Sequence, residues 1–129
     1  MRHIPSTFLI STLRRGAVIE QFMGGRVDGS QRVIRWIRLS PNVQEIEVWD
    51  QEVSDFGGEL WDSYALSDED QEAVAVFSDP AEAIEFAQSV LGALPERWVN
   101  EGIGESEFLD YVALNRPVRW PPVHSGSSS

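Results

Sequence analysis

The chain has 129 residues with 42% hydrophobic side chains, no cysteine and a net charge of −11, which suits one globular domain and excludes disulfides, thiolate nucleophiles and cysteine-based zinc sites. A charge this negative argues against nucleic acid as a partner, because binding it requires neutralisation of phosphates. No stretch approaches the ~18 apolar residues of a membrane span, and the start of the sequence lacks a signal peptide, so we expect a cytoplasmic protein with no membrane partner.

The first part of the chain predicts a short helix and two strands. Ser6 is placed to cap a helix that ends at Gly16, although the β-branched residues of this segment would also suit a strand. Residues 17–22 predict a short strand that stops at the glycine pair at 24–25. After a turn signal, the strand at 32–39 has the strongest pattern in the sequence. It carries apolar residues on both faces, as expected of an interior strand.

The next segment predicts the second arm of an antiparallel hairpin. Residues 40–42 predict a turn, and residues 43–50 alternate as a strand whose apolar side chains face one way while Glu45 and Glu47 face the other. Pairing of arginines with glutamates across the hairpin would suit this arrangement. Two further strands are predicted, one at 60–66 and a short buried one at 73–77.

The pattern then changes to the period of helices. Asp79 precedes Pro80 and stands three residues before Glu82, which is a capping-box arrangement with proline in the first helical position. The apolar stripe of this helix consists of Ala83, Ile84, Ala87, Val90, Leu91 and Leu94. A last short helix is predicted at 105–114, with Phe108, Leu109 and Val112 directed inward.

Strands followed by helices predict an α+β domain over residues 1–115. We expect an antiparallel sheet of four or five strands, with the two C-terminal helices packed on one face and a short helix at the N-terminus. Residues 116–129 are rich in proline and serine and predict a flexible tail. Trp120 in this tail is a candidate anchor, either to the body of the domain or to a partner.

The charge is segregated along the chain. Residues 1–38 carry seven arginines and two acids, whereas residues 39–115 carry nineteen acids and only one base, Arg97. One interpretation is a solvated acidic surface that keeps the protein soluble and is partly neutralised by the N-terminal arginines. The other is an acidic face that attracts a basic partner and accelerates association.

Two tryptophans in the acidic segment have carboxylates as neighbours. Trp49 precedes Asp50 and Trp61 precedes Asp62. An exposed tryptophan surrounded by carboxylates is typical of an interface hot spot for an arginine-bearing partner. The predicted partner-binding residues are Glu45, Glu47, Trp49, Asp50, Glu59, Trp61 and Asp62.

The sequence offers little for catalysis. His3 and His124 lie near the two ends, where the rigid placement that a catalytic triad requires is not expected. Glu45 and Glu47, with an acid such as Asp62 opposite, could hold Mg²⁺ or Ca²⁺ or act as an acid–base pair. However, the chain has neither a calcium-loop pattern nor a phosphate-binding glycine pattern. We therefore predict no catalytic residue, no metal and no cofactor.

Three segments carry a resemblance to known proteins: Arg32-Val33-Ile34-Arg35-Trp36, the helix start Asp79-Pro80-x-Glu82-Ala83, and Arg97-Trp98-Val99-Asn100-x-Gly102. Together they resemble a group of small acidic proteins of high-GC bacteria that has no assigned activity. The resemblance implies a bacterial cytoplasmic domain and no site residues. In size and acidity the chain is also similar to immunity proteins, an analogy of type that many unrelated folds share.

Three hypotheses for the function follow. The leading one is a non-enzymatic protein-binding domain, such as an immunity or antitoxin-like inhibitor, that presents its acidic face to a basic protein. The second is a small enzyme or ligand-binding domain that uses the same carboxylates with a metal ion. The third is a homo-oligomeric structural component, a homodimer in its simplest form, in which the arginine-rich segment of one copy pairs with the acidic segment of another.

Overall fold

The computed structural model describes residues 3–54, 73–117 and 119–121, and it confirms the α+β class. A 3-10 turn, Ser6–Phe8, runs into the short helix α1, Leu9–Arg14. The remaining elements are β1 (Ile19–Asp28), β2 (Gln31–Pro41), β3 (Ile46–Ser54), β4 (Ala75–Phe77), α2 (Pro80–Ser89), β5 (Val99–Asn100) and α3 (Gly104–Ala113). The five strands form one antiparallel sheet in the order β4-β3-β2-β1-β5.

β1 is longer than the sequence predicts. It does not stop at the glycine pair but continues to Asp28, where a two-residue turn leads into β2. The two strands change register between Phe22 and Gly25, so that Met23 and Gly24 both lie opposite Arg35. This is a β-bulge, and Gly24 adopts the left-handed φ of +88° that glycine accepts most readily. The glycine pair therefore bends the strand instead of ending it.

The central strands of the sheet are covered on both faces. On one face, side chains of the central strands pack with α1 and α2 around Ile37 and the fully buried Trp98. On the other face, Trp36 packs with Phe22 and with the side chains of α3. Ile37 and Trp36 are consecutive, so they point to opposite faces. The two C-terminal helices accordingly lie on opposite faces of the sheet, in contrast to the expected placement on one face.

The predicted start of α2 is confirmed. The Asp79 side chain accepts a hydrogen bond from the backbone N–H of Ala81 at 3.0 Å, and Pro80 takes the first helical position. We expect the Asp79→Ala substitution to lower the free energy of unfolding by about 1 kcal/mol, because one amide of the first turn loses its acceptor. Urea denaturation measures the change. Glu85→Ala, on the exposed side of the same helix, is the control and should change stability by only a few tenths of a kcal/mol; equal losses from the two variants would contradict the cap.

α3 and the segment after it differ from the predictions in part. Phe108 is buried as predicted and Tyr111 is buried as well, but Leu109, predicted to point inward, is exposed. Trp120 packs edge-on against Phe22 and Tyr111, with both pairs of ring centroids 5.7 Å apart. Trp120 thus anchors its segment to the body of the domain. None of the helices formed by the described residues is long and apolar enough to cross a membrane.

Candidate functional site

The turn between β2 and β3 is closed by Asn42. Its side-chain oxygen accepts hydrogen bonds from the backbone N–H groups of Gln44 and Glu45, at 3.1 and 2.9 Å. The backbone N–H of Asn42 donates to the backbone carbonyl of Glu45 at 2.8 Å. Glu45 therefore lies in the turn just before β3 and not within a strand as predicted. Its side chain and that of Val43 are exposed. The turn presents a carboxylate at the beginning of β3.

Glu47 and Trp49 lie together on one face of β3, as the alternation predicts. Both are half-buried, and the Trp49 indole Nε1 donates a hydrogen bond to a Glu47 carboxylate oxygen at 3.3 Å. Trp49 stands directly opposite Arg38 of β2, while Glu47 stands opposite Val76 of β4. The hydrogen bond holds the carboxylate beside the indole ring, so an acidic group and an aromatic surface are adjacent on this face of β3.

Two exposed valines lie next to this pair, Val76 on β4 and Val74 just before that strand. Val76 is 48% exposed and Val74 is 49% exposed. Val76 shares the face of Glu47, its cross-strand partner. The short apolar strand was predicted to be buried, and that prediction is wrong for these two side chains. Among the described residues β4 pairs only with β3. We call Glu47, Trp49, Val74 and Val76 the β3–β4 surface.

Asp50 does not belong to this surface. As the residue after Trp49, it points to the other face, where its two carboxylate oxygens accept from Nε and Nη2 of Arg35 at 2.7 and 3.0 Å. Arg35 also donates to the carbonyl of Leu91, which follows α2. Asp50 therefore forms the kind of cross-strand pair with an arginine that was expected of the hairpin. The other predicted partner-binding residues, Glu59, Trp61 and Asp62, lie outside the described residues, as does the strand predicted at 60–66.

A buried carboxylate that the sequence analysis missed lies at the start of α3. Glu20 of β1 is 2% exposed, and one of its oxygens accepts from the backbone N–H groups of Gly102 and Gly104, at 3.1 and 3.0 Å. Its other oxygen accepts from Arg38 at 3.2 Å. A Cβ atom at position 104 would lie only 2.5 Å from the first oxygen. Glu20 thus satisfies free amides at the N-terminus of α3.

A second buried carboxylate lies one turn further along α3. Glu107 is 1% exposed, and one oxygen accepts from Arg97 at 2.6 Å and lies 3.0 Å from Nε2 of His3. His3 stands opposite Val99 in an isolated bridge, so this residue is held against β5 although no rigid placement was expected so near the end of the chain. Two patterns in the sequence could have indicated that these carboxylates are buried. Strand alternation places Glu20 on an inward face of β1, and Glu107 lies on the apolar side of α3. Both carboxylates hold α3 to the sheet.

The described residues contain no group of three or more histidine, aspartate or glutamate side chains placed to hold a metal ion. Glu45 and Glu47 form no ion pair within the part of the chain that the structure describes, whereas Asp50 and Glu52 are paired with Arg35 and Arg26. Among the described residues, the acids of this region without an ion pair are therefore Glu45, just before β3, and Glu47 within it. Comparison of the chain with protein-family models, with curated proteins and with solved structures finds no match.

Proposed function

We propose that this protein is a non-enzymatic binding domain that presents the β3–β4 surface, together with Glu45, to a basic protein partner. An immunity or antitoxin-like inhibitor is the most concrete form of this function. The observation that carries the proposal is the carboxylate of Glu47, held on the Trp49 indole and not neutralised by an arginine among the described residues. An arginine of a partner can pair with such a carboxylate and stack on the ring beside it.

The charge distribution supports the same partner class. Four arginines are already used within the chain, since Arg26, Arg35, Arg38 and Arg97 each pair with a buried or half-exposed acid. The N-terminal arginines therefore neutralise acids of the sheet only in part, and a net charge of −11 remains. A surplus of this size attracts a basic protein over long range and raises the rate of association at low salt.

The proposal predicts a local effect of two substitutions. Trp49→Ala should weaken partner binding by about 30-fold, as expected for the loss of a hot-spot tryptophan. Glu47→Arg should weaken it chiefly by slowing association, with a shallower dependence on salt. Wild-type and variant proteins are tagged, incubated with lysate of the source organism and washed at rising salt. The retained protein is then identified, purified and titrated by surface plasmon resonance.

Glu85→Arg is the matched control, because it changes the net charge by the same amount at an exposed position of α2. It should leave the dissociation constant within about twofold of wild type. If Glu85→Arg weakens binding as much as Glu47→Arg, the net charge and not the β3–β4 surface attracts the partner. Stabilisation of the free protein by Mg²⁺, Mn²⁺ or Ca²⁺ in thermal denaturation, removed by Glu47→Arg, would instead favour the carboxylate metal site.

A further inference from the structure

A cleft of about 400 Å³ lies where α1, the turn between β2 and β3, and the start of α2 meet. Its apolar lining includes Leu13 of α1, Ile46 of β3 and Pro80 of α2, all of which are buried. The residues that line the cleft all belong to the described part of the chain. Its volume falls within the range of small-molecule sites in proteins, roughly 300–1,000 Å³.

The lining of this cleft carries charges of both signs. Arg14 of α1 and Glu45 of the turn both line it, and both side chains are exposed. No ion pair joins these two described residues to each other. Asp79 adds a second carboxylate, one oxygen of which already accepts from the backbone N–H of Ala81. A guanidinium and a carboxylate are thus held apart within one cleft.

The presence of both charges indicates what kind of molecule the cleft suits. An anion would pair with Arg14 but would be repelled by the carboxylates of Glu45 and Asp79, and a cation would be repelled by Arg14. A molecule that carries an ammonium group and a carboxylate can pair with both sides through charge-assisted hydrogen bonds. An aliphatic body on the same molecule matches the apolar part of the lining.

We propose that this cleft binds a small aliphatic zwitterion, an amino acid or a short peptide. The carboxylate of the ligand pairs with Arg14, its ammonium group pairs with Glu45, and its aliphatic part packs on Leu13 and Ile46. The inference goes beyond the proposed function, because it assigns a ligand site that is distinct from the β3–β4 surface. The two sites share only Glu45.

The test uses L-leucine and the dipeptide leucylleucine, titrated into the full chain at neutral pH and followed by NMR of the backbone amides. The two probes carry the same charges at different separations, so the tighter binder distinguishes a free amino acid from a peptide as the ligand. Each probe is compared with a form acetylated at the amine and a form amidated at the carboxylate. We expect at least one zwitterion to shift the amides of residues 42–46 and 78–79 and to bind about fivefold more tightly than either of its blocked forms.

Two substitutions separate the two contacts. Arg14→Gln should abolish the advantage of the zwitterion over its amidated form, because the ligand carboxylate loses its cationic partner. Glu45→Gln should lower the advantage over the acetylated form, because the ammonium group loses one of its carboxylates. Arg15→Gln and Glu85→Gln are the matched controls, since both residues are exposed and neither lines the cleft. Both controls should keep the affinity ratios within about twofold of wild type.

Three results overturn the proposal. One is the absence of amide shifts at millimolar concentrations of both probes, and another is blocked forms that bind as tightly as the zwitterions. The third is an equal loss of zwitterion affinity in Arg14→Gln and Arg15→Gln. Trp49→Ala keeps this test separate from that of the proposed function. It should weaken capture of the basic protein but leave zwitterion affinity within about twofold of wild type.

Discussion

The Glu20→Ala substitution should lower the free energy of unfolding by about 3–5 kcal/mol. Glu20 is 2% exposed and accepts hydrogen bonds from Arg38 and from two backbone amides at the start of α3. Removing the carboxylate leaves a half-buried arginine without its partner and two amides without an acceptor, and each of these groups is costly to leave unsatisfied. Chemical denaturation followed by tryptophan fluorescence and by circular dichroism gives the change directly.

Two further variants separate the parts of this effect. Glu20→Gln keeps an oxygen for the amides of Gly102 and Gly104 but removes the charge opposite Arg38, so it should cost clearly less than alanine. Glu105→Ala removes an exposed acid from the first turn of α3 and should cost no more than about 1 kcal/mol. A loss below about 1 kcal/mol for Glu20→Ala would show that this carboxylate does not hold the helix to the sheet.

The second large effect is expected at the bulge of β1. A Cβ atom added at position 24 would lie 2.5 Å from Cβ of Trp120, so Gly24→Ala must displace that side chain from its contact with Phe22 and Tyr111. Gly24 and Gly16 have nearly the same φ, +88° and +89°, but nothing lies within 4 Å of a Cβ at position 16. Gly16→Ala therefore costs about 1–2 kcal/mol of backbone strain alone. Gly24→Ala should cost about 1–3 kcal/mol more.

A double-mutant cycle tests the cause of the difference. In a Trp120→Gly background the Cβ atom that the new methyl group would meet is absent, so the added cost of Gly24→Ala should fall toward that of Gly16→Ala. Urea denaturation of the single and double variants measures each cost. Additive costs for Gly24→Ala and Trp120→Gly would contradict the contact, because additivity is expected only of positions that do not interact.

The elements that could be predicted from the sequence are those specified by local interactions. Asp79 and Pro80 fix the start of α2 through one side-chain hydrogen bond and one preset dihedral angle, and neither depends on the rest of the fold. The β2–β3 hairpin follows from alternation around a short turn. The bulge at Met23 and Gly24 could not be predicted in this way, because a glycine pair has the same sequence signature whether a strand ends or bends there.

The placement of the helices depends on long-range packing. Alternation showed that β2 is apolar on both faces, but it could not assign α2 to the face of Ile37 and α3 to the face of Trp36. The position of a strand within the sheet also depends on contacts between residues that are far apart in the sequence. The apolar run at 73–77 fits an interior strand or an edge strand, and only the sheet order puts it last among the described strands.

The candidate site was predicted in part. Alternation correctly put Glu47 on one face, and Trp49 shares it by the same rule. Asp50 was grouped with them for its position in the sequence, although the same alternation directs it to the opposite face, where Arg35 holds it. The exposure of Val74 and Val76 could not be derived without the sheet order. The burial of Glu20 likewise depends on α3, which begins more than eighty residues later in the chain.

The contact between Glu20 and α3 has a consequence for synthesis on the ribosome. The three strands β1, β2 and β3 emerge first and can pair as a meander through contacts between neighbours in sequence, but the face that carries Phe22 and Trp36 gains its helical cover only when residues 104–113 arrive. Until then the nascent chain exposes an aromatic surface around a carboxylate that has not met its helix. The hydrogen bonds from Gly102 and Gly104 to Glu20 can form only after the chain has been made to that point, so this face of the sheet is completed late in synthesis.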